Sequence, residues 1–450
     1  MSISANIPAE LLLQSNPVYP PGPGRKFFGL NTLIPYYSNY LQFIQKLKSR
    51  YGDIIYFEAG GEMIFLLNDP GFIEHVLIKN PDNYLRGTGF SKLKMLLGEG
   101  LLSTDGAIHK KHRAMIQPSF HKTSVESYYK LIESSAQNII GKWQADSEID
   151  IQEKSVDMFL EIICDLLFGK DYKQDLIDTL KFFDSLTYDY KAFVLIGLPG
   201  LAKKLPLPWV RRFYKLNKKL DEIIYSLIEE KKKTGATGSD ILSLLLQAKD
   251  ETGEGLSGKE IRDELVTILF AAYDTSARTL TWALYLLSKY PTVHKEFLSL
   301  VDEKESSAYA EMIISEALRI YPPAHSITRV TDKDDSYENY TIPAGSSIII
   351  SPYLLHRDKK YFNDPMEFSP ERWSPGNRKN INRLTYLPFG AGKRSCMGEV
   401  FARMQVSIAL RKICAEFDFS IEGTAKESST LTLKPKGKMM LRLKPGCYNG

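Results

Sequence analysis

One cysteine lies in a segment that is otherwise rich in glycine and basic residues, Phe389-Gly-Ala-Gly-Lys-Arg-Ser-Cys396-Met-Gly398. Gly392 and Gly398 can adopt positive φ angles, so the backbone can turn closely around the sulfur and direct amide N–H groups towards it. Apolar residues recur at helical spacing from Met397 to Ile413, and the positive end of that predicted helix would favour a thiolate. The pattern therefore predicts that Cys396 is a metal ligand.

A lone cysteine is most often a small buried hydrophobic residue. Here the pattern Phe-x-x-Gly-x-Arg-x-Cys-x-Gly fixes five positions within ten residues, which makes chance a poor explanation. The segment closely resembles the haem-binding loop of the cytochrome P-450 family. The resemblance implies that Cys396 is the axial ligand of the iron in haem b, and such thiolate ligation favours O–O cleavage. It also implies that Arg394 holds a haem propionate and that Phe389 forms an apolar lid. Gly392 and Gly398 would then belong to the cofactor site.

The longest helical pattern starts at Ser257-Gly-Lys-Glu260, which has the spacing of a capping box, and ends before Pro291. At 1.5 Å per residue such a helix is roughly 50 Å long, enough to cross the whole molecule. Its middle, Leu265 to Ala272, is almost wholly apolar, which predicts a central and buried helix. An acid and an alcohol, Asp274 and Thr275, follow this stretch. Burying them is costly unless each has a partner.

Two interpretations of this pair are open. The structural one is an ion pair for Asp274 and a hydrogen bond from Thr275 to the preceding helical turn. The functional one follows from the resemblance, because Ala271, Asp274 and Thr275 match the family pattern of small residue, glycine, any residue, acid and threonine. It implies that Ala271 contacts haem and substrate, and that Asp274 and Thr275 are catalytic and direct protons to bound dioxygen. Ala272 replaces the usual glycine, which leaves the size of the oxygen-side groove open.

Further basic residues match family positions that hold the haem propionates. His109 and Arg113 are spaced i, i+4 and so share one face of a predicted helix. Alone, such a cluster is usually a solvated face. The resemblance implies that both residues bind the propionates, together with Arg329 and Arg394.

Glu316 and Arg319 are spaced i, i+3 just before a predicted helix ends at Pro322-Pro323. Such pairs are ordinary on protein surfaces. Together with Arg372, in Pro370-Glu-Arg-Trp373, they resemble a buried ion network of the family. The resemblance implies a structural role for this network beneath the haem.

A loop-prone stretch from Tyr84 to Leu102 carries several glycines among apolar residues. The resemblance implies that it folds over the haem, with Leu96 and Leu97 lining the substrate pocket. The alternative is a surface loop with one face packed on the core. The other predicted substrate contacts are Ala271, His325 and Ile327. Because these residues are mainly apolar, we expect a fatty-acid, terpenoid or steroid-like substrate, with the histidine facing a polar group.

Apolar spacing predicts a helix from Asn39 to Tyr51. Gly60-Gly61 lies between two apolar runs, Ile54 to Phe57 and Met63 to Leu67, and predicts a tight β-hairpin. A second hairpin-like segment is predicted from Leu431 to Leu443. The resemblance covers most of the chain and implies a mainly α fold with a small β-rich subdomain and a long central helix that crosses over the haem.

The composition sets limits on the class of protein. With 450 residues, the chain is long enough for two subdomains within one fold, and a net charge of +4 is too small to suggest nucleic-acid binding. Its four cysteines form neither a zinc pattern nor a disulfide framework, which favours a cytoplasmic location. Residues 1–38 include a proline-rich segment but no signal peptide or transmembrane anchor. We expect a single domain over residues 1–450, of the soluble bacterial type, without a fused reductase. Leu195 to Trp209 is predicted to be an interhelix loop.

The resemblance implies a haem-thiolate monooxygenase that uses two electrons and O₂ to hydroxylate an apolar substrate. One alternative is a peroxide-driven peroxygenase, although such relatives generally lack the acid–alcohol pair. The other is a non-enzymatic haem sensor or carrier, which would not need that pair. Electrons are expected from a separate ferredoxin or flavodoxin with its NAD(P)H reductase. The basic residues expected to bind this acidic donor are Lys110, Lys111, Lys379, Arg383 and Lys393.

Overall fold

The computed structural model describes residues 17–26, 29–87, 94–169, 172–186, 208–235, 238–300 and 302–446. Residues 1–16 of the predicted N-terminal segment and residues 195–207 of the predicted interhelix loop lie outside this set. The chain divides into two compact units, Met1–Leu85 with Thr328–Ile350 and Arg86–Ile327 with Ser351–Gly450. We call the first the β-rich unit and the second the helical unit.

The α-helices are, in chain order, α1 (Leu30–Ser38), α2 (Tyr40–Tyr51), α3 (Pro70–Glu74), α4 (Gly106–Ile116), α5 (Lys122–Ser127), α6 (Tyr129–Ile140), α7 (Ile151–Phe168), α8 (Gln174–Leu186), α9 (Pro208–Lys233), α10 (Ile241–Gln247), α11 (Gly258–Lys289), α12 (Pro291–Ser299), α13 (Glu303–Ile320), α14 (Pro352–Leu355) and α15 (Glu399–Glu416). The strands are β1 (Ile54–Ala59), β2 (Glu62–Leu67), β3 (Tyr84–Arg86), β4 (Glu148–Asp150), β5 (Ile327–Thr331), β6 (Asp335–Tyr337), β7 (Tyr340–Ile342), β8 (Ser347–Ile350), β9 (Phe417–Ile421), β10 (Glu427–Ser429), β11 (Leu433–Pro435) and β12 (Met440–Pro445). None of the helices in the described part of the chain is both long and apolar enough to span a lipid bilayer.

The β-rich unit is organised around a five-stranded sheet with the order β1-β2-β8-β5-β3. β1 and β2 are antiparallel, with Phe57 opposite Ile64, and β2 is parallel to β8. Gly60 and Gly61 both have positive φ angles and form the tight turn between β1 and β2. The predicted hairpin is therefore confirmed, as is the predicted helix at α2, which buries Ile44 against this unit's core.

The helical unit is built around α11, which we call the central helix. Its predicted capping box is present, since the Glu260 N–H donates to Ser257 Oγ and the Ser257 N–H donates to the Glu260 carboxylate. The helix packs against α7, α13 and α15, and most of its residues are buried. Leu265 and Leu269 are fully buried as predicted, but Ala271 is exposed. The prediction of burial is thus wrong at the end of the apolar run, where the helix faces accessible space.

The predicted C-terminal hairpin is wrong. β11 pairs with β10, whereas β12 pairs with β9 and β4. The physical reason lies in the apolar row of β12, where Leu441 and Leu443 are buried and lie opposite Ile421 and Phe419 of β9. This cross-strand row joins two apolar faces, which β11 would not provide.

Candidate active site

The cysteine segment forms a tight loop that its own backbone closes. The Cys396 N–H donates to the Phe389 carbonyl oxygen at 2.8 Å, and the Ser395 N–H donates to the Gly392 carbonyl oxygen at 3.0 Å. Gly390 and Gly392 have φ angles of 70° and 71°, a region that glycine adopts readily and other residues rarely do. The predicted turn around the sulfur is therefore made by these two glycines.

Gly398 lacks the positive φ angle that the sequence predicted, since its φ angle is −87°. It lies at the N-cap of α15, which begins at Glu399, two residues later than predicted. The Gly398 amide nevertheless donates towards Cys396 Sγ. The sulfur thus receives a backbone N–H beside the positive end of a helix, as the sequence predicted, although the local conformation differs.

The Cys396 side chain is exposed, whereas Cys164 and Cys414 are buried. The surrounding protein still desolvates the thiol, and this burial raises the pKa of Cys396 more than the Gly398 amide lowers it. A sulfur that is accessible at its surface but surrounded by protein at longer range faces an internal space. A thiol in such a place ionises readily only beside a bound metal ion or another cation.

Two arginines bond the backbone in and around this loop: Arg394, which belongs to the loop, and Arg113 of α4. Arg113 Nη1 donates to the Ser395 carbonyl oxygen at 3.0 Å. Arg394 Nη2 donates to the Thr104 carbonyl oxygen at 2.8 Å and pairs with the Asp105 carboxylate. The other terminal nitrogen of Arg394, Nη1, is buried and has no hydrogen-bond partner among the described residues. Because an unsatisfied buried donor is unfavourable, this nitrogen is a candidate contact for an anionic ligand.

His109 is buried on α4, and desolvation lowers its pKa to about 4. Desolvation is the largest cause of this low pKa, the guanidinium groups of Arg394, Arg86 and Arg113 also lower it, and the Asp105 carboxylate raises it. His109 is therefore a neutral N–H donor near pH 7. Three guanidinium groups around one carboxylate give the cluster an excess of positive charge, which suits an anionic group. Sequence reasoning missed Arg86, because a single cation at the end of a short strand carries no periodic signal.

Asp274 is buried in the central helix, where Oδ2 is hydrogen-bonded and Oδ1 has an ion-pair contact but no hydrogen bond among the described residues. Oδ2 accepts from the Thr432 hydroxyl at 2.7 Å, and Oδ1 lies 2.6 Å from Arg278 Nη2. Arg278 Nη2 also lies 3.1 Å from Asp184 Oδ1, and Lys434 is close enough to interact with both carboxylates. Burial raises the pKa of Asp184 and lowers that of Lys434. The structure thus places Asp274 in a buried ion cluster.

Thr275 is half-buried, and its hydroxyl donates to the Ala271 carbonyl oxygen at 3.0 Å. Both contacts of the structural interpretation, the ion pair of Asp274 and the back-bond of Thr275, are therefore present. A hydroxyl that donates one hydrogen bond keeps two lone pairs that can accept. Ala271, one helical turn before Thr275, is exposed on the same face.

Glu316, Arg319 and Arg372 are brought together as the sequence predicted. Glu316 and Arg319 are fully buried and form two hydrogen bonds of 2.8 Å between guanidinium and carboxylate. Glu316 also accepts from Arg372 Nε at 3.3 Å, from Trp373 Nε1 at 2.8 Å and from the Ser369 N–H at 3.2 Å. The remaining Arg319 donors reach the carbonyl oxygens of His356, Pro365 and Glu367.

The two predicted substrate contacts at the end of the loop-prone stretch lie in a helical turn at residues 94–97. Leu97 is buried and Leu96 is partly buried, and both pack on the apolar core of the helical unit. This is the packing that the structural alternative predicted. Pocket lining by either side chain stays a prediction.

Two further predicted substrate contacts lie at the start of β5: His325 just before the strand and Ile327 as its first residue. His325 is buried, with Nδ1 3.0 Å from Ser326 Oγ, and burial lowers its pKa to about 4. It is therefore a neutral side chain near pH 7. Ile327 lies beside the cysteine loop, because a Cβ placed on Gly390 would be 3.9 Å from Ile327 Cδ1.

Arg329 belongs to the β-rich unit, where it is buried and its Nη1 donates to the Thr328 carbonyl oxygen at 2.8 Å. Its contact with a propionate stays a prediction. Of the basic residues predicted to bind an electron donor, Lys110, Lys379, Arg383 and Lys393 are exposed. Lys111 differs from them, since its Nζ lies 3.0 Å from Asp250 Oδ2.

Comparison with known proteins places this site in a family. The profile of the family described as Cytochrome P-450 matches residues 20–445. Cyclooctat-9-en-7-ol 5-monooxygenase of Streptomyces melanosporofaciens is 32% identical over 84% of each chain, and cyclooctatin synthase of the same organism is 31% identical over 90% of each. Pentalenene oxygenase of Streptomyces avermitilis is 28% identical over 86% of this chain and 88% of its own.

Among solved structures, the cytochrome P450DA heme domain is similar in fold, with a TM-score of 0.82 and 22% identity over 95% of this chain and 98% of its own. This match confirms the predicted mainly α fold with small sheets. The family profile and the relative that is 32% identical show that the chain belongs to the cytochrome P-450 family and is an oxidoreductase of the monooxygenase type with a haem-iron cofactor.

Proposed function

We propose that this monooxygenase hydroxylates a cyclic terpenoid, either a hydrocarbon or its alcohol. The names of two relatives denote oxygenation of cyclooctat-9-en-7-ol and of pentalenene, which favours the terpenoid class over fatty acids and steroid-like molecules. The predicted contacts Leu96, Leu97 and Ile327 are apolar, and an apolar lining suits a hydrocarbon skeleton. His325 is neutral and would act only as a hydrogen-bond partner of a substrate hydroxyl.

The proposed cofactor is haem b, with Cys396 as the axial ligand. When bound, it supplies the iron at which O₂ is reduced and split. The residues of this chain fit such a group in two respects. Cys396 Sγ is accessible and receives the Gly398 amide, which stabilises negative charge on sulfur. At the same time, the buried Arg394 Nη1 lacks an acceptor that a propionate would provide.

The propionates are assigned to His109, Arg113, Arg329 and Arg394. Neutral His109 donates one N–H, and Arg394 offers a guanidinium already oriented by Thr104 and Asp105. Pre-oriented charged donors bind carboxylates strongly because little side-chain freedom is lost on binding. To this set we add Arg86, which acts on His109 together with the other cations.

Thr275 and Asp274 are assigned to proton delivery. The Thr275 hydroxyl holds its proton towards Ala271 O, and a change of χ1 would turn that proton towards the exposed face of the helix. Asp274 Oδ2 accepts from Thr432 and Oδ1 lies within ion-pair distance of Arg278, so both contacts hold the carboxylate that would relay a proton. The ion cluster around Asp274 therefore holds the carboxylate in place and also opposes its uptake of a proton.

Electrons are proposed to come from a separate acidic ferredoxin or flavodoxin with its NAD(P)H reductase, and the chain is treated as a single haem domain. Exposed Lys110, Lys379, Arg383 and Lys393 support this, whereas Lys111 is weakened as a candidate by its pairing with Asp250. Contacts of this kind raise association rates and are screened by salt. The cytoplasmic location stays a prediction.

One observation carries the proposal: an accessible, desolvated cysteine in a closed glycine loop lies in the same unit as a cation cluster in which the buried Arg394 Nη1 has no hydrogen-bond partner among the described residues. The test is the absorbance spectrum of the reduced protein with CO, which reports thiolate ligation. We expect Cys396→His to lose the thiolate band and Cys414→Ala, a buried cysteine outside the loop, to keep it. If Cys396→His kept the band, the ligand assignment would be wrong.

The substrate class is tested by spectral titration of the oxidised protein. We expect pentalenene to shift the haem absorbance band on binding. Its dissociation constant should be lower than that of a saturated fatty acid of similar carbon number. Tighter binding of the fatty acid would overturn the terpenoid assignment without affecting the cofactor assignment.

A further inference from the structure

Three consecutive charged residues near the start of the central helix bond the backbone of residues 96–101. Arg262 Nη2 donates to the Leu96 carbonyl oxygen at 3.0 Å. The next residue, Asp263, accepts from the Glu99 N–H at 2.9 Å, and Glu264 accepts from the Leu101 N–H at 3.1 Å. Successive side chains of one helix thus bind three backbone groups of one short segment, which we call the clamped segment.

These three charges are buried, with exposed fractions of 6% for Arg262, 2% for Asp263 and 0% for Glu264. Buried charges are unfavourable unless they are paired and hydrogen-bonded. Arg262 is paired with Asp221 of α9 and with Asp263. The pairing explains how the charges are tolerated, but it does not require that each of them also bond the same loop.

Two glycines allow the clamped segment to lie directly on the helix. A Cβ on Gly98 would overlap the Asp263 carboxylate. A Cβ on Gly100 would overlap Thr267 Oγ1 and lie 2.7 Å from the Asp263 carbonyl oxygen. Backbone atoms of the segment therefore touch the helix surface at positions where any larger residue would separate them.

The clamp is connected to the proposed haem side by two routes. Glu264 holds the Leu101 N–H with one oxygen and lies 2.7 Å from His112 Nδ1 with the other. His112 is buried on α4, the helix that carries His109 and Arg113. Three residues after the clamped segment, the Thr104 carbonyl oxygen accepts from Arg394. The chain from Leu96 to Thr104 is therefore held at both ends.

We propose that Arg262, Asp263 and Glu264 are positioning residues that hold the clamped segment against the central helix and thereby orient Leu96 and Leu97 towards the substrate. This inference rests on the proposed function, since it takes those leucines as part of the substrate pocket. The shape of the pocket wall formed by these leucines would then depend on the first turns of the central helix, which are far from the leucines in sequence.

Two chemically different variants test the clamp, each with a matched control. Glu264→Ala removes the acceptor of the Leu101 N–H, whereas Glu260→Ala removes the other acid next to His112, and with it the capping bond to the Ser257 N–H, but no hydrogen bond to the segment. Gly100→Ala inserts a methyl group between segment and helix. Its control is Gly376→Ala, because a Cβ there meets nothing within 4 Å.

The first measurement is hydrogen–deuterium exchange of peptides covering residues 94–105. We expect exchange there to rise about tenfold in Glu264→Ala and Gly100→Ala, because charge-assisted hydrogen bonds or close contacts are lost. Both control variants should keep the wild-type exchange in these peptides. Unchanged exchange in both test variants would overturn the clamp.

The second measurement uses two haem-ligating probes that differ by one apolar ring, imidazole and 4-phenylimidazole, in spectral titrations of the holoenzyme. We expect the dissociation constant of 4-phenylimidazole to rise about three- to tenfold in both test variants. That of imidazole, which needs only the iron, should stay unchanged. This pattern supports the orientation of the pocket wall by the clamp.

The outcomes separate the clamp from the proposed function. Faster exchange with unchanged binding of both probes would overturn the role of the clamp in the pocket while leaving thiolate ligation intact. Equal weakening of both probes would also overturn it, because the haem rather than the wall would be affected. Absence of the thiolate band in the wild-type protein would instead refute the proposed cofactor site, whereas the exchange experiment needs no haem and still reports on the clamp.

Discussion

Two buried groups of charged side chains in the helical unit differ in how completely protein atoms satisfy them. Around Glu316, the Arg319 donors bond the carboxylate and three backbone carbonyl oxygens, and the carboxylate receives three further donors. Around His109, the guanidinium groups of Arg394, Arg86 and Arg113 and the Asp105 carboxylate act on the imidazole, and Arg394 Nη1 is buried with no acceptor among the described residues.

The difference indicates what each group is for. A network whose hydrogen bonds are all made within the protein gains nothing from a ligand, and its loss is felt as lost stability. A network with surplus positive charge and an unused donor becomes complete only when an anion binds. Groups of charged residues are therefore distinguished by the hydrogen bonds that remain unmade.

The largest expected effect comes from the satisfied network. Glu316→Ala leaves the Arg319 guanidinium buried without its anion, so we expect the free energy of unfolding to fall by about 3–5 kcal/mol. Urea denaturation followed by circular dichroism measures this on the haem-free protein. Glu222→Ala is the control, because Glu222 is also a glutamate paired with a cation of its own helix, here Lys218 on the exposed surface of α9.

The surface pair should contribute only about 0.2–0.5 kcal/mol. If the two variants lost the same stability, the Glu316 network would not be the structural element that its geometry indicates.

A second variant changes the unsatisfied cluster. In Arg394→Ala the Asp105 carboxylate remains partly exposed to solvent, so we expect little loss of stability in the haem-free protein. Haem retention should fall by about 1.5–3 kcal/mol, the usual contribution of a hydrogen bond to a charged group. Transfer of haem to an excess of an apo-globin measures retention. Arg394→Lys should restore it only in part, because an ammonium lacks the fork geometry of a guanidinium. Normal retention in Arg394→Ala would remove the basis of the comparison.

The acid–alcohol pair of the central helix sharpens the comparison, because Asp274 belongs to a buried ion cluster, whereas the Thr275 hydroxyl bonds the preceding turn of its own helix. Thr275→Ala removes one back-bond and should leave stability nearly unchanged, while the ratio of product to NAD(P)H consumed falls about tenfold and peroxide rises. Thr275→Ser keeps the hydroxyl and should keep most of the ratio. Normal coupling in Thr275→Ala would show that the back-bond is the only role of this residue.

Asp274→Asn is expected to behave differently, because it removes one of the carboxylates that interact with Arg278 and Lys434. It should lose stability and slow oxygen activation, with less loss of coupling than Thr275→Ala. Measurements of denaturation and of product ratio on the same preparations separate these effects. A stable, fully coupled Asp274→Asn enzyme would contradict both the ion cluster and the relay.

Sequence patterns predicted the features that depend on neighbours in the chain. The capping box of the central helix, the β1–β2 hairpin and the Glu316–Arg319 pair all join residues within a few positions, so periodicity and spacing are sufficient. The loop around Cys396 was also predicted from local glycines, although Gly390 rather than Gly398 supplies the second positive φ angle.

Features that depend on distant residues were missed. Thr432, the partner of Asp274, and Arg86, the extra cation beside His109, are far from these groups in sequence and have no pattern of their own. The β12 pairing was wrong for the same reason, because its apolar row is completed by β9 rather than by its neighbour β11. Long-range partners are chosen by packing, which one sequence does not reveal.

The smallest expected effect concerns His109 in the unsatisfied cluster. Its folded-state pKa is about 4, below the ordinary value of 6.5, because burial and the surrounding guanidinium groups disfavour the imidazolium. Below pH 6.5 the unfolded chain therefore binds a proton that the folded protein does not, and stability falls with decreasing pH until the folded pKa is reached. Between pH 7.5 and 5.5 this difference amounts to about 1 kcal/mol.

His109→Gln cannot take up the proton, so its stability should fall less over the same interval. Denaturation curves of both haem-free proteins at the two pH values measure the difference, and other histidines cancel because both proteins contain them. Equal falls would mean that His109 is not held neutral by the cation cluster. The surplus positive charge on which the contrast with the Glu316 network rests would then be smaller than the geometry indicates.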